Sequence, residues 1–238
     1  MHVLITNDDG YSSSGILALS EAVSRLGWSA TIVAPSNQVS GASRSRISGV
    51  PLRWARARDV FSFPVFHLEA TPAACVVFGL TSGLFKPFDL CVSGINAGEN
   101  LGAGLGISGT FGAAWEATSY DVRGIAISRQ YELRSTEPES WDWSWTVSVA
   151  AATLTQLMEN NSGWSLANIN LPDHVRTKKL VYTKISSESY FYDRFDPVTG
   201  CIVSSIGYQS SRIDHDDDIN VFAELGRISV SLLAGKIV

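Results

Sequence analysis

The first apolar run of the chain, HVLIT (residues 2–6), shows no regular polar alternation and reads as a strand buried on both faces. Directly after it the period changes. In GILALSEAVSRLG (15–27) Ile16, Leu19, Val23 and Leu26 recur at helical spacing, and Gly27 supplies a helix stop. SATIVAP (29–35) follows as a second strand, which completes a βαβ unit with a parallel pair and a right-handed crossover. The same alternation continues with VFHLEA (65–70) as a strand and a helix over 72–84. Next come FDLCVSGIN (88–96) as a strand, TFGAAWEATSY (110–120) as a helix and RGIAIS (123–128) as a strand. Strand and helix in strict succession predict an α/β fold with a Rossmann-like, doubly wound, mostly parallel sheet.

Beyond Ser128 the rhythm differs. SWDWSWTVSVAAATLTQLM (140–158) reads as a long helix and WSLANINLP (164–172) as a strand. KKLVYTKIS (178–186) and GCIVSSIGYQ (200–209) then read as the two strands of a C-terminal β-hairpin extension around DRFDPVTG (193–200), and RISVSLLAG (227–235) as one more strand. No repeat, low-complexity tract or linker divides the chain. The expectation is therefore a single domain over 1–238, with the core over about 1–172 and the arm and C-terminal segment over about 173–238.

Composition narrows the function classes. The 238 residues are 45% hydrophobic and 17% charged with a formal net charge of -5, which fits a globular protein. It argues against an electrostatic grip on nucleic-acid duplexes, which needs clustered Lys and Arg. Met1 and His2 lead directly into the first strand, so no signal peptide is expected, and no apolar run approaches the roughly 18 residues of a membrane span. Cys75, Cys91 and Cys201 lie far apart, without the spacing of a zinc site or a disulfide framework. Reduced cysteines in a cytoplasmic protein are expected.

Candidate chemistry follows from the fold class. In open α/β sheets ligands bind outside the carboxyl ends of the strands, which selects NDDG after the first strand, PSNQVSGAS after the second, EATPAAC before a helix, and SGINAGENLGAGLGISGT after the fourth. Their side chains are carboxylates, hydroxyls and carboxamides, without an imidazole. Such oxygen donors suit a hard cation such as Mg2+ or Mn2+. Taken singly, each piece has an ordinary role: Asp8-Asp9-Gly10 as a turn, Ser40 as a loop or capping residue, Asn96 as a partner for nearby backbone. Asp-Gly in a hairpin would lead into another strand, whereas here a helix pattern follows. Convergence of Asp8, Asp9, Ser40 and Asn96 at one sheet edge favours a metal site.

Other motifs are weaker. GLGISG (104–109) satisfies G-x-G-x-x-G, with Asp121 downstream, but NAGENLGA separates it from its strand, whereas a dinucleotide fingerprint follows its strand at once. Its better use is to deliver Ser108, Gly109 and Thr110 to a helix start, where hydroxyls and backbone N–H groups suit a phosphate. DHDDD (214–218) resembles the opening of a calcium loop, but Ile219 and Leu225 stand where a glycine and a glutamate are required, so a solvated turn is expected. His67 and His174 have no evident partner and read as structural. Trp141, Trp143 and Trp145, spaced by two, cannot share one helix face.

TNDDG, SGAS, TP before a helix, SGINAGENLG and SGTFGAAWEA occur in an order that resembles the SurE-type 5'-nucleotidases, acid phosphatases also called survival proteins. The resemblance covers roughly the first 130 residues, with echoes in NINLP and ISVSLL. It implies a divalent-metal-dependent phosphomonoesterase acting on nucleoside 5'-monophosphates, with one Mg2+ or Mn2+ per subunit and a homodimer or homotetramer built through the C-terminal arm. Carried over, the metal ligands fall on Asp8, Asp9, Ser40 and Asn96, and the phosphate contacts on Ser108, Gly109 and Thr110. Asn100 matches a further family position without an assigned role. This chain departs from the pattern at ATPAAC, where Ala70 and Ala74 replace the usual residues, and PSNQVSG lacks the usual charges before its serine.

Asp8, Asp9 and Asn96 are the expected catalytic residues, with Asp8 orienting or deprotonating a water that attacks phosphorus in line. A phosphoaspartyl course on Asp8 stays open. Two other classes compete: a non-catalytic nucleotide or metal sensor on the same fold, suggested by ATPAAC, and an NAD-linked oxidoreductase, suggested by the displaced glycines.

Overall fold

A computed structural model describes residues 1–46, 48–131, 137–160, 162–173 and 179–234. The alternating pattern folds as expected around β1 (His2–Thr6), α1 (Ser14–Arg25), β2 (Ser29–Pro35) and, after the unexpected β3 (Trp54–Val60), β4 (Phe63–Leu68). The chain continues through α2 (Pro72–Thr81), β5 (Leu90–Ala97), α3 (Gly109–Thr118), β6 (Arg123–Arg129), α4 (Ser144–Glu159) and β7 (Trp164–Leu171). The last elements are β8 (Leu180–Thr183), β9 (Phe191–Asp196), β10 (Cys201–Ile206) and β11 (Ile228–Ala234).

One sheet runs in the order β3-β4-β2-β1-β5-β6-β7-β11-β8. From β4 to β7 all neighbours are parallel, whereas β3 pairs antiparallel with β4 and β11 antiparallel with β7. Helices cover both faces, and β1 shows why its sequence lacks polar alternation. Val3 and Ile5 join the layer of α1 and α4 with Ile16, Leu19, Val147 and Leu154. Leu4, between them, points into the opposite layer with Val33, Val76 and Ala113. Successive strand side chains alternate between faces, so a strand with helices on both sides must be apolar throughout.

Chain order places the site. From β1 the chain moves outward through β2 to β4, then returns to the other flank of β1 and moves outward again through β5, β6 and β7. The order of connection reverses between β1 and β5, and a crevice opens where loops leaving such strands diverge to opposite sides. NDDG leaves β1, and Asn96 lies near the end of β5.

Three expectations are corrected, and one strand had not been expected at all. KKLVYTKIS does not supply a hairpin strand, because β8 pairs parallel with β11 in the main sheet. The hairpin is β9 with β10, so DRFD lies within a strand rather than in the turn. β3, WARARDV, is an edge strand whose largely exposed, arginine-rich face gave no apolar signal. Finally, α4 begins at Ser144, which leaves Trp141 and Trp143 outside the helix. Their rings stack at 5.6 Å between centroids, and the buried Arg129 guanidinium lies 5.0 Å from the Trp141 ring and 5.1 Å from that of Trp143. That arrangement suits a buried cation, because ring faces are electronegative. Among the described residues no helix is long and apolar enough to cross a membrane.

Candidate active site

The loop after β1 is shaped by a buried residue that the sequence reading did not single out. Asn7 donates its amide to the carbonyl of Gly10 at 2.9 Å and to Ser13 Oγ at 2.8 Å. Gly10 completes the bend at φ +99°, a conformation that glycine adopts without steric cost. Ser13 then caps α1 by accepting from Ile16 N–H. The turn therefore hands the chain straight to a helix, and Asp8 and Asp9 are held at its start. At Gly15, α1 lies so close to β5 that an added Cβ would stand 2.0 Å from the Ile95 carbonyl oxygen, which brings the β1 loop against the β5 end.

Asp8 is buried and packed against the first turn of α3. Thr110 Oγ1 donates to Asp8 Oδ1 at 2.5 Å, and a Cβ at Gly109 would stand 2.8 Å from Asp8 Oδ2. Only glycine admits this approach. Burial raises the Asp8 proton affinity above the ordinary carboxylate range, against the pull of the Thr110 hydroxyl and backbone N–H. Asp9 is half-buried, and burial together with the Asp8 charge moves its pKa up to about 6. Its contacts are long: Gln38 Nε2 at 3.4 Å and Ala97 N–H at 3.5 Å. Among the described residues no Lys, Arg or His forms an ion pair with either acid; the charges acting on Asp9 are those of Asp8 and Glu139, and both repel.

The remaining candidates gather around the two acids. Gln38 Nε2 reaches Ser40 Oγ at 3.1 Å as well as Asp9, so one carboxamide ties the β2 loop to the β1 loop. Val39 N–H donates to the Asp8 carbonyl at 2.7 Å, a second tie between them. Asn96 donates its amide to the Gly98 carbonyl at 2.7 Å, and its Oδ1 has no donor among the described residues. Ser108 caps α3 by accepting from Phe111 N–H at 3.1 Å. The Thr110 hydroxyl, expected to face a phosphate, is engaged with Asp8. Main-chain donors of the α3 start, Gly109 first among them, are what the helix has left to offer an anion.

The Ser40 loop is anchored by a residue of the SGTFGAAWEA motif that was given no role above. Glu116 of α3, fully buried, receives Arg44 Nε at 2.7 Å and Arg46 at 3.1 Å. The glycine-rich loop is anchored by strand β7. Asn168 and Asn170 both donate to the Asn100 carbonyl at 2.9 Å, and Asn170 Oδ1 accepts Asn100 N–H at 2.8 Å. Asn100 donates its own amide to Ser128 Oγ at 2.8 Å. Asn100 is thus fixed by NINLP, an echo in the sequence whose buried, alternating asparagines were the available signal.

Several lesser expectations meet the structure differently. DHDDD is not a solvated turn throughout: Asp214 and His215 are exposed, but Asp217 and Asp218 are buried. Asp218 accepts N–H groups of Gly102, Ser186 and Ile219, because a buried acid needs such donors. The carboxylates of Asp214, Asp216 and Asp217 lie within 4.8 Å of one another, with Lys184 Nζ on Asp216 at 2.8 Å. His67 does have partners, stacking on Tyr11 at 4.4 Å and hydrogen-bonding Ser36 Oγ at 2.8 Å. His174 lies outside the described residues. Ala74, one of the altered family positions, lines a separate cavity of about 660 Å³ with Arg46, Leu52 and Phe78.

Comparison with known proteins agrees with this architecture. The model of the family "Survival protein SurE" matches residues 3–191. A protein of Methanococcus maripaludis (strain C6) named 5'-nucleotidase SurE is 33% identical over 98% of this chain and 90% of its own length. Its namesake in Methanocaldococcus jannaschii is 32% identical over 98% of this chain and 91% of its own. The crystal structure of SurE from Aquifex aeolicus superposes with a TM-score of 0.75 at 28% identity, covering 98% of this chain and 93% of that one. The chain belongs to the survival protein SurE family.

Proposed function

We propose that the protein is a divalent-metal-dependent phosphomonoesterase that hydrolyses nucleoside 5'-monophosphates to nucleoside and phosphate. One observation carries the reading. Two adjacent carboxylates, close to a hydroxyl and a carboxamide and without a basic partner among the described residues, sit beside the start of a helix at the reversal point of the sheet. Paired acids with raised proton affinity and no neutralising side chain among the described residues are the donor set that a hard cation fits. Asp8, Asp9, Ser40 and Asn96 would hold one Mg2+ or Mn2+ per subunit. When bound, the ion supplies Lewis acidity toward a phosphoryl oxygen.

The chain's own groups do the rest. The start of α3, from Ser108 to Thr110, turns the positive end of a helix toward the phosphate, with the Gly109 N–H as the nearest donor. Asp8, fixed by Thr110, accepts the proton of the attacking water. Asp9 and Asn96 would hold the ion at the end of β5. The relatives' names support the substrate class. We place the protein in the cytoplasm as a homodimer or homotetramer formed through the arm, where Phe195, Val198 and Ile202 are 65%, 92% and 72% exposed.

The test is phosphate release from nucleoside 5'-monophosphates with Mn2+ or Mg2+ and with chelator. Metal-dependent release is expected. Tight nucleotide binding without release would select the sensor instead.

A further inference from the structure

A cavity of about 660 Å³ lies between α2 and the segment entering β3, and the proposed reaction does not use it. Ala74, Val77 and Phe78 of α2 line one side, and Arg46, Ser48 and Leu52 the other. It shares no lining residue with the cavities that Asp9 and Ser40 line. Its volume is in the range of small-molecule sites.

Shape is the first feature that selects an occupant. Ala74 is buried and ends in a methyl group, at one of the positions where the chain departs from the family pattern, so this turn of α2 leaves the space open. Leu52 and Phe78 pack on the core of the α2 layer and present an aliphatic and an aromatic surface. Covering such surface with an apolar body is favourable.

Charge is the second. Arg46 is the one charged residue lining the cavity. Its Nη1 donates to Glu116 Oε1 at 3.1 Å, and its other nitrogens have no partner among the described residues. Fully buried Glu116 is shared with Arg44, so two guanidiniums meet one carboxylate and one positive charge is left over. Arg44 turns away from the cavity, donating to Ser119 and lying 4.8 Å from the Trp115 ring centre. The surplus charge therefore stands at the cavity wall on Arg46, already held by a buried partner, which lowers the entropy cost of binding an anion. A planar, singly charged carboxylate matches the remaining guanidinium fork, whereas a phosphate dianion brings one charge too many.

We propose that this cavity binds a small aromatic monocarboxylate, with its ring system against Leu52, Val77 and Phe78 and its carboxylate on Arg46. The site is separate from the proposed phosphatase centre, and its ligand carries no phosphate for that centre to release.

Isothermal titration calorimetry of the full chain, with chelator present so that no metal can take the carboxylate, tests this with indole-3-acetate and its uncharged analogue indole-3-acetamide. The acid should bind once per chain with a Kd of about 1 mM or tighter, the scale that ligand efficiency allows for a body of this size. The amide should bind about tenfold more weakly, because it lacks the charge-assisted hydrogen bonds. Arg46→Gln, which can still donate to Glu116, should lower the acid to the amide's affinity. Val77→Trp, at a half-buried position of α2, should fill the cavity and abolish binding of both, with thermal melts of the two variants showing a folded chain. No saturable heat with the acid in wild type, or equal affinity for acid and amide, would overturn the proposal. So would full affinity in folded Arg46→Gln or Val77→Trp. Displacement of the acid by adenosine 5'-monophosphate would overturn it as well, because the probe would then sit in the phosphatase centre.

Discussion

Thr110 and Asp8, 102 residues apart in sequence, share a 2.5 Å hydrogen bond that joins the first turn of α3 to the loop leaving β1. The neighbouring Gly109 makes the contact sterically possible, since a Cβ there would lie 2.8 Å from Asp8 Oδ2. Gly109→Ala should therefore displace the carboxylate while the helix itself persists or gains from alanine's propensity. Metal-dependent phosphate release is expected to fall about a hundredfold, the scale of an ångström-sized misplacement at a reacting centre. Parallel circular dichroism should be unchanged.

Glu116 sits under the Ser40 loop, where α3 approaches so closely that a Cβ at Gly112 would lie 2.3 Å from the Ser43 carbonyl oxygen. Glu116→Gln removes the charge that Arg44 and Arg46 share. Both arginines reach solvent, so the loss is that of charge-assisted hydrogen bonds, about 2 kcal/mol in urea unfolding with chelator present. Manganese affinity should weaken as well, since Ser40 loses its anchor.

The acid–base behaviour of Glu99 has a definite sign. Burial raises its pKa above the 4.5 usual for a glutamate, opposed by the Tyr131 N–H and by Tyr190. A raised pKa means that the folded chain holds this proton more tightly than the unfolded chain. The resulting stability is fully present below 4.5 and is lost as pH rises through the folded value. Glu99→Gln imitates the protonated acid. It should be more stable than wild type at pH 7, with the difference shrinking toward pH 4 in a series of thermal melts.

Asp218 gathers donors from three segments, Gly102, Ser186 and Ile219, at 2.9, 2.9 and 3.0 Å. Asp218→Asn turns an NH2 group toward one of these N–H groups and leaves a buried donor without an acceptor. The expected cost is about 2 kcal/mol in urea unfolding. A loss below a few tenths of a kcal/mol would show that the arm root does not depend on this carboxylate.

The legible parts were those where one residue type answers to one physical demand. Buried parallel strands had to be apolar, so β1, β2, β5 and β6 stood out, and chain order then led to the loops carrying Asp8, Ser40 and Asn96. Less legible were residues whose role exists only across the fold. Glu116, Asn168 and Asn170 bond to segments that no local spacing identifies. β3 was hidden because an edge strand with WARARDV leaves most of its side chains in water. β8 was assigned to the arm because alternation along a strand does not say which strand it pairs with; its partner β11 lies far along the chain.

Diffraction at the manganese absorption edge, from crystals soaked in Mn2+, tests the central claim most directly. The account predicts one anomalous peak per subunit, about 2.2 Å from oxygens of Asp8, Asp9 and Asn96 and near Ser40, and no peak there in Asp9→Asn. Ordered, well-resolved Asp8 and Asp9 side chains with no peak between them in the wild-type crystal would contradict it.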